Sequence, residues 1–271
     1  MTPRACGVLV LWLALAVAQA QQSVPIIAIV LDDLGNSLSV GRQALALPGK
    51  LTFAFLPQTP HAAGLSRQVH ATARESIVHL PMQSLKGHPL GPGGLTLNMD
   101  ETQLRRTLAE DLTSVPFAVG INNHMGSGYT GDMESMTRLM AALAERGDMY
   151  FLDSRTHKST VAELAARQAG VPTSRRDVFL DLRRDEAYIS DQFNLLLLRA
   201  QQQGSAVAIG HPYPETLAVL KRRLPELEGL GVELVALSRL IQRQSEEKSN
   251  AGLEDSTIVG AKTPETKRGE N

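Results

Sequence analysis

The chain has 271 residues, and its 27 lysines and arginines are balanced by 28 aspartates and glutamates, with a pI of about 6.7. A protein with this balance has no excess positive field to hold a polyanion by counterion release, so the composition argues against a nucleic-acid partner. The single cysteine, Cys6, excludes an internal disulfide.

Residues 1–20 are predicted to form a secretory signal peptide. Residues 1–4 are a short basic start, an uncharged run covers residues 5–18, and residues 18–20 read Ala-Gln-Ala, which fits a cleavage site. The apolar run is shorter than the ~20 residues that a membrane-spanning helix needs, and no later run resembles one. We therefore expect a periplasmic or secreted protein with no membrane span in its mature form. An uncleaved anchor is the alternative.

Residues 21–244 are predicted to fold as a single domain, a distorted parallel β/α barrel of seven or eight strands. Short apolar runs alternate with longer amphipathic stretches, which is typical of βα units that build a parallel sheet or barrel. The predicted strands are residues 26–31, 51–56, 76–80, 118–122, 149–152, 178–180, 206–209 and 232–237. The predicted helices are residues 99–112, 133–146, 161–169 and 189–203, and one that opens at Pro214. Residues 245–271 are charged, lack aromatics and are predicted to be a disordered tail.

Polar residues stand where the predicted strands end. In a parallel β/α barrel the carboxyl ends of the strands meet at one mouth, where ligands bind. The intervals between these positions correspond to one βα unit, or to a unit with an insertion, so their side chains can face the same mouth. The strand-end residues are Asp32-Asp33, His79, Asn122-Asn123-His124, Asp153-Ser154-Arg155, Asp181 and His211.

An aspartate and two histidines are a natural ligand set for a divalent transition metal. Imidazole suits zinc and similar ions, and a carboxylate completes a site with open positions for water and substrate. Such a metal polarises a carbonyl and lowers the pKa of bound water. Taken singly, each histidine is more often structural, and Asp32-Asp33 can be a turn with a helix cap. Their shared position at strand ends favours the metal site.

Four further residues are expected to support the site, namely Asn123, Asp153, Arg155 and Asp181. For Asp153 and Asp181 two interpretations are open, catalytic support or helix N-capping. Arg155, Arg176 and Asp177 are expected to form an ion pair, either behind the site or on the solvated surface. No basic cluster suited to an anion is apparent in the sequence.

Six motifs carry a family resemblance that runs from about residue 25 to residue 242. The ordered set is specific, although no single motif is. With it the chain resembles the divergent polysaccharide deacetylase family, which is similar to the broader carbohydrate esterases with a NodB-type distorted β/α barrel. The motifs are IAIVLDDLG (27–35), HLPM (79–82), GINNHMGS (120–127), FLDSR (151–155), RDVFLD (176–181) and IGHPYPET (209–216).

The resemblance implies metal-assisted removal of acetyl groups from N-acetylated sugars, and the expected metal is zinc. Matched to the family's motifs, Asp32 corresponds to the catalytic base and Asp33 to the metal-binding aspartate. His79 corresponds to the first histidine of the second motif. His211 corresponds to the histidine of the last motif, which acts as general acid on the leaving amine.

The chain departs from the broader family at two motifs. The second motif of that family has two histidines four residues apart, whereas Met82 and Gln83 follow His79 here. His124, which the chain spacing allows to reach the same mouth, is therefore assigned as the third metal ligand. The usual arginine and proline run of the third motif is also missing, which leaves the identity of the sugar open.

Three functions are compatible with these residues. The first is a metal-dependent hydrolase that removes acetyl groups from an N-acetylated envelope or extracellular polysaccharide, with backbone N–H groups near Gly126 and Ser127 as oxyanion donors. The second keeps the metal but cleaves a phosphoester or another amide. The third is a catalytically silent barrel that binds a glycan or a partner in the cell envelope, because a fold does not secure an activity.

Overall fold

A computed structural model of the protein describes residues 24–259, with side chains as far as residue 249. The predicted signal peptide, residues 1–20, lies outside this part of the chain. The described strands are β1 (Ile26–Leu34), β2 (Thr52–Phe55), β3 (Glu75–Met82), β4 (Ala118–Met125), β5 (Tyr150–Asp153), β6 (Thr173–Arg175), β7 (Val178–Phe179), β8 (Ser205–Gly210) and β9 (Glu233–Leu234). The α-helices are α1 (Leu38–Leu45), α2 (Ala62–Ala71), α3 (Glu101–Ser114), α4 (Met133–Arg146), α5 (Ala162–Gln168), α6 (Glu186–Gln203), α7 (Pro214–Arg223) and α8 (Leu237–Val259).

The strands form one parallel sheet in the order β6-β5-β4-β3-β2-β1-β8-β7, and β9 pairs with the start of β1. The outermost strands, β6 and β7, are consecutive in the chain and are separated only by Arg176 and Asp177. The N–H of Arg176 donates to the carbonyl of Asp153 in β5, and that of Asp177 to Val207 in β8. The chain thus connects the two edge strands. The sheet is curled, so that its edges approach each other. The predicted distorted parallel β/α barrel in a single domain is confirmed.

Side chains on the two faces of the sheet form separate hydrophobic clusters. On the outer face, strand residues such as Ile27 and Ile29 pack with the surrounding helices. On the inner face, Ala28 and Val30 belong to a cluster that also contains Leu240 of α8. Helix α8 is therefore part of the barrel interior, although it comes last in the chain.

Hydrogen bonds attach the start of α8 to the amino-terminal end of the barrel. The N–H of Leu237 donates to the hydroxyl of Thr52, the first residue of β2. The N–H of Ser238 donates to the buried carboxylate of Glu75, the first residue of β3, which also accepts from the hydroxyl of Tyr150. Helix α8 therefore fills the end of the barrel opposite the carboxyl ends of the strands.

The inner face leads directly into the candidate site. Side chains along a strand alternate between its faces, so residues two positions apart share a face. Three residues of the inner cluster are each followed, two positions later, by a predicted site residue. These pairs are Val30 and Asp32, Ile77 and His79, and Ile209 and His211.

All eight predicted strands are present, but the structure has one additional strand and one strand that is shorter than predicted. The sequence does not predict β6, which is three residues long and reads Thr-Ser-Arg. The last predicted strand, residues 232–237, is shortened to Glu233–Leu234 because α8 begins at Leu237. Each predicted helix is present, and Gly147 and Gly204 follow α4 and α6 in the left-handed conformation, as expected. Helices α1 and α2 are not predicted.

The carboxyl-terminal segment is helical further than predicted. Residues 245–271 are expected to be disordered, but α8 continues to Val259, and residues 260–271 lie outside the described part. Pairs at four-residue spacing, Gln242 with Glu246 and Arg243 with Glu247, stabilise this exposed stretch. Among the helices between residues 24 and 259, none combines the length and the hydropathy that crossing a bilayer requires.

Candidate metal centre

Strand β1 brings two adjacent carboxylates to the same end of the barrel. Neighbours in a regular strand point to opposite faces. Here the register of β1 against β2 shifts between Leu31 and Leu34, and Asp33 has a left-handed backbone with φ 59°. This irregularity lets both side chains approach His79, with Asp32 buried and Asp33 partly buried.

Three side chains from separate strands bring one donor atom each to a common point. Asp33 Oδ1 lies 3.0 Å from His124 Nδ1 and 3.2 Å from His79 Nε2, and the two nitrogens are 3.0 Å apart. Ligands bound to one zinc ion at ~2.0–2.2 Å are separated by about 3–3.5 Å when the angles between them are roughly 90–110°. Asp33 Oδ1 is buried, and the two imidazole nitrogens are its polar neighbours. The donor set therefore fits a single divalent cation.

Asn122, on β4, connects His79 to Asp32. Its Oδ1 atom accepts a hydrogen bond from His79 Nδ1 at 2.8 Å, and its Nδ2 atom donates to Asp32 Oδ1 at 2.9 Å. An ionised carboxylate can only accept, so Asp32 fixes the orientation of the amide and, through it, the proton on Nδ1 of His79. Nε2 is then the atom that faces the cation site. Metal-bound histidines commonly donate their other nitrogen to such an acceptor.

The buried carboxylates and imidazoles shift one another's pKa values. Burial raises the pKa of Asp32, against the opposing effect of His79 and His211. Burial acts in the same direction on Asp33, but His124 and His79 outweigh it and hold the pKa of that carboxyl well below its usual range. Burial opposes the charge on His79, yet the attraction of Asp32 and Asp33 outweighs it and raises the pKa of His79 to about 9. The metal-free site therefore holds a proton on His79 at neutral pH.

His211, directly after β8, is held in place by Asp181. Asp181 Oδ1 accepts from His211 Nδ1 at 3.0 Å, while Oδ2 accepts from the His211 N–H at 2.6 Å and from the Thr216 hydroxyl at 2.8 Å. His211 Nε2 lies 3.6 Å from Asp33 Oδ2. Burial would lower the pKa of His211, but these carboxylates raise it. Asp181 thus orients a histidine, and Asp185 caps α6 instead.

Asn123 and Asp153 stabilise the loop that follows β5. Asn123 Oδ1 accepts from the Ser154 N–H at 2.8 Å. Asp153 accepts from the Arg155 N–H at 2.8 Å and from the Thr160 hydroxyl at 2.9 Å, and it does not cap α5. Both residues therefore support the wall of the site rather than its reacting groups.

The ion pair expected from Arg155, Arg176 and Asp177 is not formed. Arg176 donates instead to the carbonyls of Ser154 at 2.7 Å and Arg155 at 2.9 Å. Asp177 Oδ2 accepts from the Val207 N–H at 2.8 Å. Residues 176–177 bridge the two ends of the sheet, so their polar side chains bond to backbone groups exposed at that junction. Within the described residues, neither arginine has a carboxylate oxygen within 4.0 Å.

Asn122 and Thr216 contact the site although the sequence assigns a role to neither; it places Asn122 at a strand end and does not single out Thr216. Alternation along β4 is a signal that identifies Asn122, because Ile121 packs in the outer cluster and so places Asn122 and His124 on the inner face. No comparable signal identifies Thr216. Its bond to Asp181 depends on how closely α7 approaches the loop after β7.

Left-handed backbone at non-glycine residues is concentrated at this end of the barrel. Of the six such residues that the structure describes, four lie at or just after the carboxyl ends of strands, namely Asp33, Gln58, Met125 and Arg155. Each such conformation costs about 1–3 kcal/mol and persists only where the surrounding structure fixes it. The mouth of the barrel is therefore the strained end of the domain, as functional sites often are.

The amino-acid sequence is similar to a known protein family and to individual bacterial proteins. The sequence profile of the family described as divergent polysaccharide deacetylase matches residues 29–241. An uncharacterized protein of Escherichia coli (strain K12), YibQ, is 40% identical over 215 residues, which cover 79% of this chain and 67% of that protein. An uncharacterized protein of Haemophilus influenzae (strain ATCC 51907 / DSM 11121 / KW20 / Rd) is 37% identical over 217 residues, which cover 79% of this chain and 76% of the relative.

A solved structure shares the fold. The crystal structure of the uncharacterized protein ATU2773 from Agrobacterium tumefaciens C58 superimposes with a TM-score of 0.76, covering 80% of this chain and 89% of that one. The two sequences are 22% identical. At this low sequence identity, the similarity shows a shared barrel fold and nothing more.

Proposed function

This chain belongs to the divergent polysaccharide deacetylase family, and we propose that it is a metal-dependent hydrolase that removes acetyl groups from an N-acetylated polysaccharide. One observation carries the proposal: Asp33 Oδ1, His79 Nε2 and His124 Nδ1 lie 3.0–3.2 Å from one another. Two imidazoles and a carboxylate suit zinc and leave positions open for water and substrate.

Each residue around these three donor atoms has its own role in the proposed amide hydrolysis. Zinc, when bound by the three donors, supplies Lewis acidity that polarises the acetamido carbonyl and lowers the pKa of water. Asp32 accepts the proton of the attacking water, and burial makes it a stronger base than an exposed aspartate. The N–H groups of Gly126 and Ser127, which donate to no described atom, are the oxyanion donors that we propose.

His211 supplies the proton that the leaving group needs. As the water oxygen bonds to the carbonyl carbon and the carbon–nitrogen bond breaks, the nitrogen takes a proton from His211. The products are acetate and a sugar with a free amine. Asp181 orients the imidazole and contributes to its raised pKa, which favours the protonated form that a general acid needs.

The polysaccharide we propose as substrate is part of the cell envelope or lies outside the cell. The predicted signal peptide, residues 1–20, would deliver the chain to the periplasm or to the medium. Membership of a polysaccharide deacetylase family supports a glycan as the acetylated partner.

The test is acetate release by the purified full chain from N-acetylated chitooligosaccharides, with and without a chelator, beside a measurement of bound metal. We expect bound metal and acetate release that the chelator stops, and we expect Asp32→Asn to bind metal without turnover. Metal without acetate release would favour a phosphoesterase or another amidohydrolase. A wild-type chain that binds no metal would overturn the proposal and favour a catalytically silent glycan-binding barrel.

A further inference from the structure

Three arginines lie on the side of the barrel mouth formed by the ends of β5, β7 and β8, and we name Arg155, Arg176 and Arg184 the arginine rim. We propose that the arginine rim binds a carboxylate of the substrate, so that the polysaccharide carries acidic sugars next to the acetylated ones. This inference rests on the proposed function, because it assigns a substrate class to the same site.

Two aromatic rings connect the arginine rim to His211. The His211 ring lies 5.4 Å from the Phe179 ring and 5.3 Å from the Tyr213 ring, on which it stacks at 29°. The Arg176 guanidinium lies 4.8 Å from the centre of Phe179, and that of Arg184 lies 3.6 Å from the centre of Tyr213. Both cations are thereby positioned beside the group that would protonate the leaving nitrogen.

Within the part of the chain that the structure describes, the arginine rim forms no close ion pair, although Asp32, Asp153 and Asp177 attract the Arg176 guanidinium from further away. Among the described residues, none of its guanidinium groups has a carboxylate oxygen within 4.0 Å. Several arginines of the outer helices differ, as Arg105 shows by its contact with Glu145 at 2.6 Å. Arg176 is half-buried, and its guanidinium donates to two backbone carbonyls rather than to a carboxylate. The exposed side chains of Arg155 and Arg184 are therefore the ones available to an anion from outside the chain, with Arg176 behind them.

The backbone of Arg155 is fixed in an uncommon conformation. Its φ is 47°, its N–H donates to Asp153 Oδ1 at 2.8 Å, and its carbonyl accepts from Arg176 at 2.9 Å. A strained conformation that the surroundings fix in this way is characteristic of functional sites. It keeps an exposed cationic side chain just after β5, next to a second arginine.

A carboxylate is the anion that suits this arrangement. The forked N–H donors of a guanidinium match both oxygens of a planar carboxylate. The arginine rim lies beside the rings that flank His211 rather than among the three donor atoms, so it addresses a group next to the reacting bond. A uronic acid linked to the N-acetylated sugar presents such a group. N-acetylated polysaccharides that contain uronic acids are therefore the substrate class we infer.

The test compares two oligosaccharides that differ only in charge. One alternates N-acetylglucosamine with glucuronic acid, and the other is the same oligosaccharide with its carboxyl groups reduced to alcohols. Binding to the full chain, with and without added zinc, is measured by calorimetry, so that no turnover is needed. We expect the acidic form to bind about tenfold more tightly, as a charge-assisted hydrogen bond to arginine provides. The preference should shrink as salt is added.

Single substitutions assign the preference to the arginine rim. Arg184→Gln and Arg155→Gln should each reduce it several-fold. Arg239→Gln removes the same charge from an exposed position on α8, at the opposite end of the barrel, and should leave the preference unchanged. Equal binding of the two oligosaccharides, or an equal loss in the Arg239 control, would overturn the inference. A preserved preference without bound metal or acetate release would refute the proposed function alone.

Discussion

Asn122 lies behind the candidate metal ligands and fixes the orientation of one of them. It accepts from His79 and donates to Asp32, so it links a candidate ligand to the candidate base. We expect Asn122→Ala to weaken zinc binding about 10–100-fold, because the His79 ring loses the acceptor that fixes its orientation. Competition with a chromophoric chelator would measure the affinity. The matched control is Asn123→Ala, whose hydrogen bonds serve the neighbouring loop; an equal loss in both variants would contradict the role of Asn122.

The raised pKa of His79 makes both stability and metal binding depend on pH. This pKa is about 9 in the folded, metal-free protein, against 6.5 for an ordinary histidine. The protonated ring therefore stabilises the metal-free fold fully below pH 6.5, and this contribution is lost as the pH rises through about 9. Zinc must displace the same proton, so its affinity should rise about tenfold per pH unit toward that value. Calorimetry in buffers of different ionisation enthalpy should detect at least one released proton, and none would contradict the assignment.

Among the elements, α8 has the clearest structural role, because it fills the amino-terminal end of the barrel. Leu240 is fully buried in the inner cluster. We expect Leu240→Ala to lower the free energy of unfolding by about 2–5 kcal/mol, which denaturant titration would measure. Leu198→Ala is the control, since that side chain is 48% exposed on α6 and should change stability by only ~0.5 kcal/mol. Similar losses in the two variants would show that α8 does not contribute to the core.

The strands show which features of the site can be read from the sequence. Parallel strands bring their carboxyl ends to one edge, so the convergence of His79, His124 and His211 follows from their places in the chain. The orientation of Asp33 does not follow, because strict alternation turns it away from Asp32. Only the local irregularity of β1, with φ 59° at Asp33, brings both carboxylates together.

For the whole molecule, the fold class follows from the βα rhythm, but closure of the sheet does not. Closure depends on Arg176 and Asp177, which join β6 to β7 across the gap and bond to backbone groups on both sides. The arginine rim also depends on contacts between residues that are distant in the sequence, so the sequence alone does not predict it. Arg155 and Arg184 are far apart in a chain of balanced charge, and the folded barrel brings them to one side of the mouth.

The central claim is that Asp33, His79 and His124 bind one divalent cation, and zinc titration by calorimetry of the full chain beside His124→Ala tests it most directly. We expect one zinc ion per chain in the wild type. In the variant we expect an affinity lower by about 100-fold or more, because a direct ligand contributes at least as much as the residues that orient ligands. A wild-type chain that binds no zinc, or a variant that binds it equally well, would contradict the claim.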